Sequence, residues 1–368
     1  MIATDRYDVA VIGGGQAGLA IGYSLKRQER QFAIFDAADS IGAAWRARWD
    51  SLVLFTPRRY DSLPGLPFPG DPEGYPTRDE VVAYLEDYAE IFKLPVELGS
   101  RVRSITKDDE TFLLEIDGRT VEARQVVIAT GPFQTPRVPD FAGELAPDVF
   151  QTHSQGYRAP SDVPKGSVLV VGGGNTGYQI AGELSATHDV SLAVGGRQKP
   201  LPQKVFGRDL FWWLVTTRLF KANIESRLGK KLSQRDTLIG SSPKALAEHG
   251  VKMKPRMTGA SDRTATFADG SDLTVDAVIW ATGFGLDHSP IKLPIFDHDG
   301  KTRHRRGVTD VPGLYFLGLP WQHTRGSALL GWVQDDAEYI AGRIALGGRH
   351  DEQHASVMPP VIATGTPV

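Results

Sequence analysis

The chain contains one short pattern twice, and this duplication limits the folds that it can adopt. Residues 9–25 read VAVIGGGQAGLAIGYSL, and residues 168–184 read VLVVGGGNTGYQIAGEL. Each copy is an apolar run typical of a strand buried on both faces, followed by a glycine turn and a helical stretch. We therefore predict an α/β fold with two Rossmann-like dinucleotide-binding domains.

The first glycine turn fits the pattern G-x-G-x-x-G. Gly13 permits the tight turn, Gly15 lets a pyrophosphate approach the backbone, and Gly18 lets the helix lie close to the strand. The predicted helix Gln16–Lys26 directs its N-terminal amides at that phosphate. The next strand ends at Asp36, 21 residues after Gly15, where an acid can bind the 2′-hydroxyl of an adenosine ribose.

The second glycine turn follows the same plan with Gly172, Gly174 and Gly177. Its next predicted strand, Val190–Val194, is followed by Arg197 instead of an acid. A cation at this place suits the ribose 2′-phosphate of NADP, although an ordinary surface arginine remains an alternative. Two dinucleotide sites in one chain predict hydride transfer from NADPH to a flavin.

A second repeat closes each half of the chain. Residues 126–131 read VVIATG and residues 278–283 read VIWATG, so each is an apolar strand that breaks at Ala-Thr-Gly. An Asp-Gly pair between alternating segments precedes each of them, at 117–118 and 269–270, and indicates a β-hairpin. The duplicated unit is therefore a βαβ element, a meander and a return strand.

These repeats divide the chain into an interrupted domain and an inserted one. We predict that residues 1–160 and 285–346 form a discontinuous FAD-binding domain and that residues 165–284 form an NADP-binding domain inserted into it. Residues 347–368 are rich in proline, glycine and small residues and are predicted to be a flexible tail.

Composition excludes several classes of function. The chain has no cysteine, which excludes disulfides, thiolate metal sites and a cysteine redox relay. Its net charge of -3 gives no general attraction to nucleic acid, and no apolar run reaches the roughly 18 residues of a membrane span. Histidine spacing predicts no metal site. The first strand begins almost at once, so we expect no signal peptide and a cytoplasmic location.

Several further stretches make the chain resemble the two-dinucleotide-binding flavoproteins and, among them, bacterial flavin-containing monooxygenases. Residues 40–46 resemble the GGxW segment beside the flavin, residues 49–69 the segment that passes the isoalloxazine ring, and residues 153–157 the stretch before the NADP site. The motifs and the resemblance together imply FAD contacts at Gly13, Gly15, Gln16, Ala17, Gly18, Asp36, Ala37, Trp45, Arg46, Val102, Ala129, Thr130, Gly131 and Gly318. They imply NADP contacts at Gly172, Gly174, Asn175, Thr176, Gly177, Arg197, Thr282 and Gly283.

The resemblance also implies an activity. In that family NADPH reduces FAD, and the flavin then activates O2 as a C4a-hydroperoxide that oxygenates a small organic substrate; NADH is a further candidate donor here. Phe55 aligns with a family asparagine that helps to hold the oxygenated flavin, and we expect Phe55 to face the flavin. This departure keeps open an NADPH oxidase or reductase that passes electrons to O2, a quinone or another small acceptor. A third alternative is a non-enzymatic flavoprotein sensor or an accessory subunit for ion transport.

Three polar residues are further candidates for catalytic roles. Gln322 and His323 precede a helix predicted over 327–343, whose N-terminus would favour the anionic reduced flavin. They either meet the flavin edge or the substrate, or they belong to an ordinary polar loop. Asn175 either reaches the nicotinamide or caps the helix that it opens.

A basic insert interrupts the second half of the chain. This basic insert, residues 197–235, contains ten Lys or Arg and two Asp or Glu, around a helical apolar pattern at 206–220. The pattern favours a helix that packs against the domain cleft as a lid or tunnel wall. A weak membrane-surface contact through 206–220 and a partner or homodimer surface are the alternatives.

Overall fold

The computed structural model describes residues 5–196, 200–234, 237–298 and 300–347. Within these ranges the chain forms two sheets with parallel centres, each built around one glycine turn, which confirms the predicted α/β fold. Arg197, the predicted ligand of the 2′-phosphate, lies outside the described residues, as does the predicted tail beyond Gly347.

The first sheet has nine strands, and its centre is parallel because βαβ crossovers connect its members. Its parallel strands, in spatial order, are Leu314–Phe316, Arg119–Ile128, Asp5–Ile12, Phe32–Phe35 and Val96–Glu97. The remaining strands, antiparallel to their neighbours, are His304–Arg305, Val308–Thr309, Val102–Asp108 and Thr111–Ile116. The central strand is fully buried from Val9 to Val11, as expected for a β-branched run between two helical layers.

The second sheet repeats this arrangement with five strands, all parallel. Their spatial order is Lys252–Lys254, Asp189–Ala193, Ser167–Val171, Ala277–Trp280 and Phe150–His153. In both sheets the strand before the glycine turn lies between the second strand of its βαβ unit and the return strand that ends at Ala-Thr-Gly. The duplication predicted from the sequence is therefore present in the topology.

The chain crosses between the sheets at two adjacent places. Thr135–Pro136 pairs antiparallel with Phe284–Gly285, so the outgoing and returning connections run side by side. Because the outgoing crossing comes this early, the strand Phe150–His153 lies in the second sheet, although the sequence prediction placed it in the first domain, 1–160.

Both Asp-Gly pairs form the predicted hairpin turns. Asp117 and Gly118 have positive φ angles of 45° and 86°, as the favoured two-residue hairpin turn requires. Gly270 has φ 80° in the equivalent turn of a second, separate meander. The strands of that meander are Met257–Ser261, Thr264–Phe267 and Asp272–Thr274.

Helices cover the sheets and connect them. The α-helices are Gln16–Arg27, Ala43–Arg46, Arg78–Ile91, Asn175–Leu184, Leu210–Thr216, Arg227–Ser233, Pro243–Glu248 and Val333–Ala345. The short 3-10 turns are Arg58–Tyr60, Asp140–Glu144, Pro160–Asp162, Leu219–Lys221 and Arg325–Ala328. Among the described residues, no helix combines the length and the apolar character that a membrane span requires.

The last helix begins later than the sequence predicted. Arg325–Ala328 forms a 3-10 turn, and Leu329 is then extended with φ -86° and ψ 149°. This extended residue interrupts the pattern predicted over 327–343, and the α-helix starts only at Val333.

Candidate active site

A cavity of about 430 Å³ opens at the carboxyl ends of the parallel strands of the first sheet. Residues that directly follow these strands line it, which is where open α/β sheets bind their ligands. The lining includes these predicted cofactor contacts: Gly13, Gly15, Gln16, Ala17, Asp36, Ala37, Trp45, Val102, Ala129, Thr130, Gly131 and Gly318. Most of the predicted FAD contacts therefore line the same cavity.

Two of the predicted FAD contacts lie outside this lining. Gly18 lies behind the turn, where a Cβ would come within 1.9 Å of the carbonyl oxygen of Gly13, so its role is to let the helix approach the strand. Arg46 turns away from the cavity, because its guanidinium pairs with the Glu86 carboxylate at 2.5 Å and about half of each side chain is exposed. An FAD contact at Arg46 therefore stays a prediction, without support from the cavity lining. Among the described residues, no group of His, Asp and Glu could hold a metal ion.

The start of the helix Gln16–Arg27 is suited to bind an anion. Its N-cap is Gly15, no described side chain caps its amides, and its first turn holds no acid. By contrast, the helix Arg78–Ile91 has a complete capping box between Thr77 and Glu80. A Cβ on Gly15 would meet no atom within 4 Å. Free amides beside open space fit the diphosphate of a dinucleotide.

Asp36 stands where the ribose of that dinucleotide would lie. Its Oδ2 accepts the backbone amide of Gly14, and its Oδ1 accepts that of Ala38 at 2.8 Å. The carboxylate is thereby fixed, with lone pairs left for ribose hydroxyl groups. On the other side of the turn, Trp45 donates its indole N–H to Oε1 of Gln16 at 3.2 Å, which joins the GGxW-like segment to the turn.

The two glycine turns repeat the same close approaches to their return strands. A Cβ on Gly13 would lie 2.5 Å from the carbonyl oxygen of Ala129, and one on Gly172 would lie 2.1 Å from that of Ala281. Both glycines have positive φ, 106° and 143°. The alanine of each Ala-Thr-Gly motif is therefore packed on the first glycine of its turn, where a side chain would clash with backbone.

At the second glycine turn, the side chain of Asn175 already forms hydrogen bonds within the protein. The Asn175 Nδ2 donates to the carbonyl oxygen of Thr237 at 3.2 Å, and its Oδ1 accepts the amide of Ile239 at 2.9 Å. The N-cap of this helix is Gly174, and no described side chain caps it. The helix cap predicted at Asn175 is wrong, because its amide instead binds residues 237 and 239, which follow the basic insert, whereas a contact with the nicotinamide stays a prediction.

The other predicted NADP contacts surround the same turn. A Cβ on Gly174 would meet nothing within 4 Å, as at Gly15 in the first copy. Thr176 lies half-buried in the first turn of the helix, and Gly177 is buried against the turn. Thr282 donates its hydroxyl to the carbonyl oxygen of Arg137, beside Gly283. The predicted NADP contacts therefore lie at a second helix N-terminus with free space before it and at the adjacent end of a strand.

An arginine that the sequence analysis did not select stands where the two halves meet. Arg48 lines the cavity, and its guanidinium carbon lies 4.4 Å from the ring centroid of Phe133 and 5.1 Å from that of Phe284. These rings follow the two Ala-Thr-Gly motifs, so Arg48 lies between equivalent ends of the duplicated unit. Burial lowers the pKa of Arg48, and no ion pair joins it to another described residue.

His153 completes this junction. Its Nε2 lies 3.0 Å from the carbonyl oxygen of Gly283, and its ring packs edge-on against Phe284 at 4.8 Å. Burial lowers the pKa of His153, and the charge of Arg48 lowers it further. The sequence repeat shows an aromatic residue, Phe133 or Phe284, after each Ala-Thr-Gly motif. Nothing in the sequence indicates that Arg48 contacts these two rings.

Gln322 and His323 lie away from the cavity. Gln322 is 2% exposed and turns inward, and its Oε1 accepts the amide of Leu319 at 3.4 Å. The carbonyl oxygen of His323 accepts the amide of Ile224 in the basic insert at 2.7 Å. Burial lowers the pKa of His323. Neither residue lines the cavity, which Val333 reaches from this region, so a contact of Gln322 or His323 with the flavin edge or the substrate stays a prediction.

Phe55 also departs from its predicted orientation. Its ring stacks on Phe211 of the basic insert, with centroids 5.9 Å apart and planes 11° from parallel. Phe220 packs on Trp332 at 4.5 Å, and Trp332 contacts Phe211 at 5.7 Å. We call these four residues the aromatic wall. Phe55 belongs to this wall instead of lining the cavity, because the insert supplies a matching ring.

The basic insert is not the single helix predicted over 206–220. A two-residue turn at Phe206 and Gly207 joins the short strands Lys204–Val205 and Arg208–Asp209, and the helix is limited to Leu210–Thr216. Arg218, with φ 59°, ends the helical path. The inner residues Leu210, Phe211 and Phe220 nevertheless pack against Phe55 and Trp332 of the first domain, and the lid or tunnel wall stays a prediction.

Comparisons with known proteins agree with this site. Residues 10–318 match the family model of the pyridine nucleotide-disulphide oxidoreductases. The chain is 50% identical to a Geobacillus kaustophilus protein named as an uncharacterized CzcO-like oxidoreductase, over 92% of this chain and 98% of that protein. It is 29% identical to the Arabidopsis thaliana probable indole-3-pyruvate monooxygenase YUCCA3, over 91% and 86%.

A solved structure gives the same result. The flavin-containing monooxygenase of Stenotrophomonas maltophilia superposes with a TM-score of 0.79 at 32% identity, over 93% of this chain and 99% of that chain. The chain here has no cysteine, so a thiol-disulfide relay within the protein is excluded despite the family description. The chain belongs to the pyridine nucleotide-disulphide oxidoreductase family and, within it, to the flavin-containing monooxygenase-like oxidoreductases.

Proposed function

We propose that this chain is an NADPH-dependent monooxygenase that contains FAD and transfers one atom of O2 to a small organic substrate. The observation that carries this proposal is that both copies of the duplicated unit end at one junction beside the cavity of the first sheet. Two open helix starts, Gly15 and Gly174, fit the two dinucleotide cofactors of this family. The 32% identity to a flavin-containing monooxygenase over nearly the whole chain supports the same reaction.

The two sites have different expected tasks. FAD, reduced by NADPH, supplies the chemistry that activates dioxygen. The turn at Gly15, with Asp36, would hold FAD as the fixed cofactor, and the turn at Gly174 would hold the exchangeable NADPH. NADH is a further donor to be compared, because Arg197, the residue expected to select the 2′-phosphate, lies outside the described residues.

The aromatic wall would exclude water from the reaction. Phe211 is 1% exposed and Phe220 7% exposed, and Trp332 directly precedes Val333, which lines the cavity. The insert is fixed to the first domain by a bidentate pair between Arg305 and Glu225, at 2.9 and 3.2 Å. A dry, rigid wall favours oxygen transfer over the release of hydrogen peroxide.

A second candidate function is an oxidase or reductase that passes electrons to O2, a quinone or another small acceptor. It is favoured by Phe55, which places an apolar ring where the family has an amide side chain. The ring lies in the aromatic wall, so the wall offers no amide at this position. This alternative predicts the same cofactors and the same reduction by NADPH but a different fate for the electrons.

The test is the stoichiometry of the reaction with a panel of sulfides, amines and ketones. NADPH oxidation, O2 uptake, hydrogen peroxide and oxygenated product are measured together on the FAD-loaded protein. A monooxygenase gives about one product for each NADPH with one substrate class, and little peroxide. Peroxide equal to NADPH with every compound would support the oxidase, and anaerobic reduction of a quinone would support the reductase.

Arg48→Met is expected to weaken NADPH binding while leaving the FAD content unchanged. A half-buried cation that is unpaired among the described residues is costly, and a phosphate of the nucleotide at the junction would compensate it. Loss of one charge-assisted hydrogen bond predicts about a tenfold rise in the Kd for NADP. Titration of the yellow protein with NADP measures this, with Arg46→Met, in the exposed Glu86 pair, as the matched control. Loss of flavin from Arg48→Met alone would contradict the assignment.

A further inference from the structure

The outer side of the basic insert carries a residue that the fold does not need. Phe206 is 92% exposed at the tip of the hairpin between Lys204–Val205 and Arg208–Asp209. Its φ is 49°, a region that disfavours a bulky side chain, and Gly207 follows with φ 75°. Asparagine or glycine would suit this turn better. An exposed ring in an unfavourable backbone conformation indicates that the ring has a binding role.

The tip is held firmly on the helix behind it. Trp213 donates its indole N–H to the carbonyl oxygen of Val205 at 2.9 Å, and its ring lies 6.3 Å from that of Phe206. The guanidinium carbon of Arg208 lies 5.1 Å from the ring centroid of Trp212, which packs edge-on against Trp213 at 4.8 Å. We call Phe206, Trp212 and Trp213 the aromatic tip. The aromatic tip is a preformed surface, so little ordering is needed when it binds.

The charge of the described part of the insert is strongly one-sided. Residues 200–234 contain seven basic residues, all exposed: Lys204, Arg208, Arg218, Lys221, Arg227, Lys230 and Lys231. The two acids are both engaged, since Asp209 is buried and accepts the hydroxyl of Tyr75 at 2.7 Å, and Glu225 pairs with Arg305. The chain as a whole has a net charge of -3, so this local excess of cations is a feature of the insert.

The insert therefore has two different faces. Its inner side chains, Phe211 and Phe220, are buried in the aromatic wall. Its outer residues include Val215 and Leu219, which are 36% and 45% exposed, near the cations and beyond the aromatic tip in sequence. Aromatic rings together with exposed Lys and Arg are the composition of segments that lie in a membrane interface.

We propose that the aromatic tip and its flanking cations dock on an anionic lipid surface. The charge of this surface favours lipid over a second copy of the chain as the binding partner. Two copies related by a twofold axis would place cations opposite cations, whereas anionic headgroups neutralise the cations. When the ring of Phe206 inserts below the headgroups, it gains an apolar environment that it lacks in the free protein. The helix Leu210–Thr216 joins the aromatic tip to the aromatic wall, so docking would hold the cleft beside the lipid surface.

The experiment is sedimentation of the FAD-loaded protein with vesicles of phosphatidylcholine alone and of phosphatidylcholine mixed with phosphatidylglycerol. Binding to the mixed vesicles, weakened by high salt, is expected. Phe206→Asn suits the positive φ and removes the ring, so it should fold and bind about tenfold more weakly. Lys204→Gln with Arg208→Gln should lower binding by a similar factor. Ile91→Asn, on a helix in the first domain and 56% exposed, is the control that should bind unchanged.

Three results would overturn the proposal. The first is failure of the wild-type protein to bind the mixed vesicles at any salt concentration. The second is equal binding by the wild type and Phe206→Asn, with the flavin spectrum showing that both are folded. The third is a dimer, measured by sedimentation velocity, that Phe206→Asn dissolves, because that would make a second copy the occupant. None of these readouts depends on turnover, so they test docking apart from the proposed oxygenation.

Discussion

Gly15→Ala is expected to give a folded protein without flavin, whereas Gly174→Ala is expected to remain yellow but resist reduction by NADPH. Both glycines have φ and ψ that alanine adopts easily, near -75° and -173° and near -84° and 176°. Neither Cβ would meet an atom within 4 Å, so neither change disturbs the fold. Each Cβ would instead occupy the space through which a diphosphate approaches the helix amides.

The expected loss of cofactor affinity follows from the lost contact between the diphosphate and the helix amides. A diphosphate displaced from several amides loses charge-assisted hydrogen bonds, and about 3 kcal/mol of lost binding corresponds to more than 100-fold in Kd. Absorbance of bound flavin at purification measures the first variant. Anaerobic mixing with NADPH measures the second, and the rate of flavin bleaching should fall by about the same factor at a low NADPH concentration.

Two controls separate cofactor loss from misfolding. Gly342→Ala lies in the last helix with nothing within 4 Å of its Cβ, and it should leave both readouts unchanged. Gly18→Ala would bring a Cβ within 1.9 Å of a backbone oxygen and should unfold the first domain, with loss of flavin and of thermal stability together. If Gly174→Ala were the colourless variant, the order of the two cofactor sites proposed above would be wrong.

The duplicated elements could be predicted from the sequence because backbone geometry demands their residues. Gly13 and Gly172 have positive φ and contact backbone atoms, so no other residue serves there. The Asp-Gly turns could be predicted for the same reason, because their backbone also requires positive φ. Each of these features is determined within a few neighbouring residues, and the sequence shows it directly.

The features that the sequence did not reveal depend on contacts between distant segments. Arg48 meets Phe133 and Phe284 only because the two halves of the duplicated unit fold against each other. Asn175 is held by Thr237, 62 positions away. The helical pattern at 206–220 likewise located the apolar residues correctly, but it could not show that a hairpin turn takes up Phe206 and that the helix ends at Thr216.

Asp61→Asn is expected to stabilise the protein at neutral pH and to change little near pH 4. Asp61 is 1% exposed, in the segment that resembles the one passing the isoalloxazine ring. Its Oδ1 accepts the hydroxyl of Thr56 at 2.7 Å, whereas its Oδ2 has no partner among the described residues. Arg58, the neighbouring cation, is engaged with Glu80 at 2.5 Å. Burial therefore dominates, and the pKa of Asp61 rises from 3.8 to about 8.

The sign of the pH dependence follows from this raised pKa. Below about pH 4 the carboxyl is protonated in both the folded and the unfolded protein, and it makes no pH-dependent difference. Between pH 4 and about 8 the unfolded chain releases the proton while the folded protein retains it, so stability falls as pH rises. The slope is about 1.4 kcal/mol for each pH unit, which amounts to roughly 4 kcal/mol at neutral pH. Asparagine keeps the shape and the bond from Thr56 without this dependence.

The measurement is the apparent Tm of the wild type and Asp61→Asn across a series of pH values, with FAD in excess because cofactor binding contributes to stability. The two curves should meet near pH 4 and separate steadily towards neutral pH, with the variant higher. Asp87→Asn, on the exposed side of the helix Arg78–Ile91, should follow the wild type throughout. If Asp61→Asn were less stable at every pH, the carboxylate would be ionised in the folded protein, and the raised pKa of Asp61 would be contradicted.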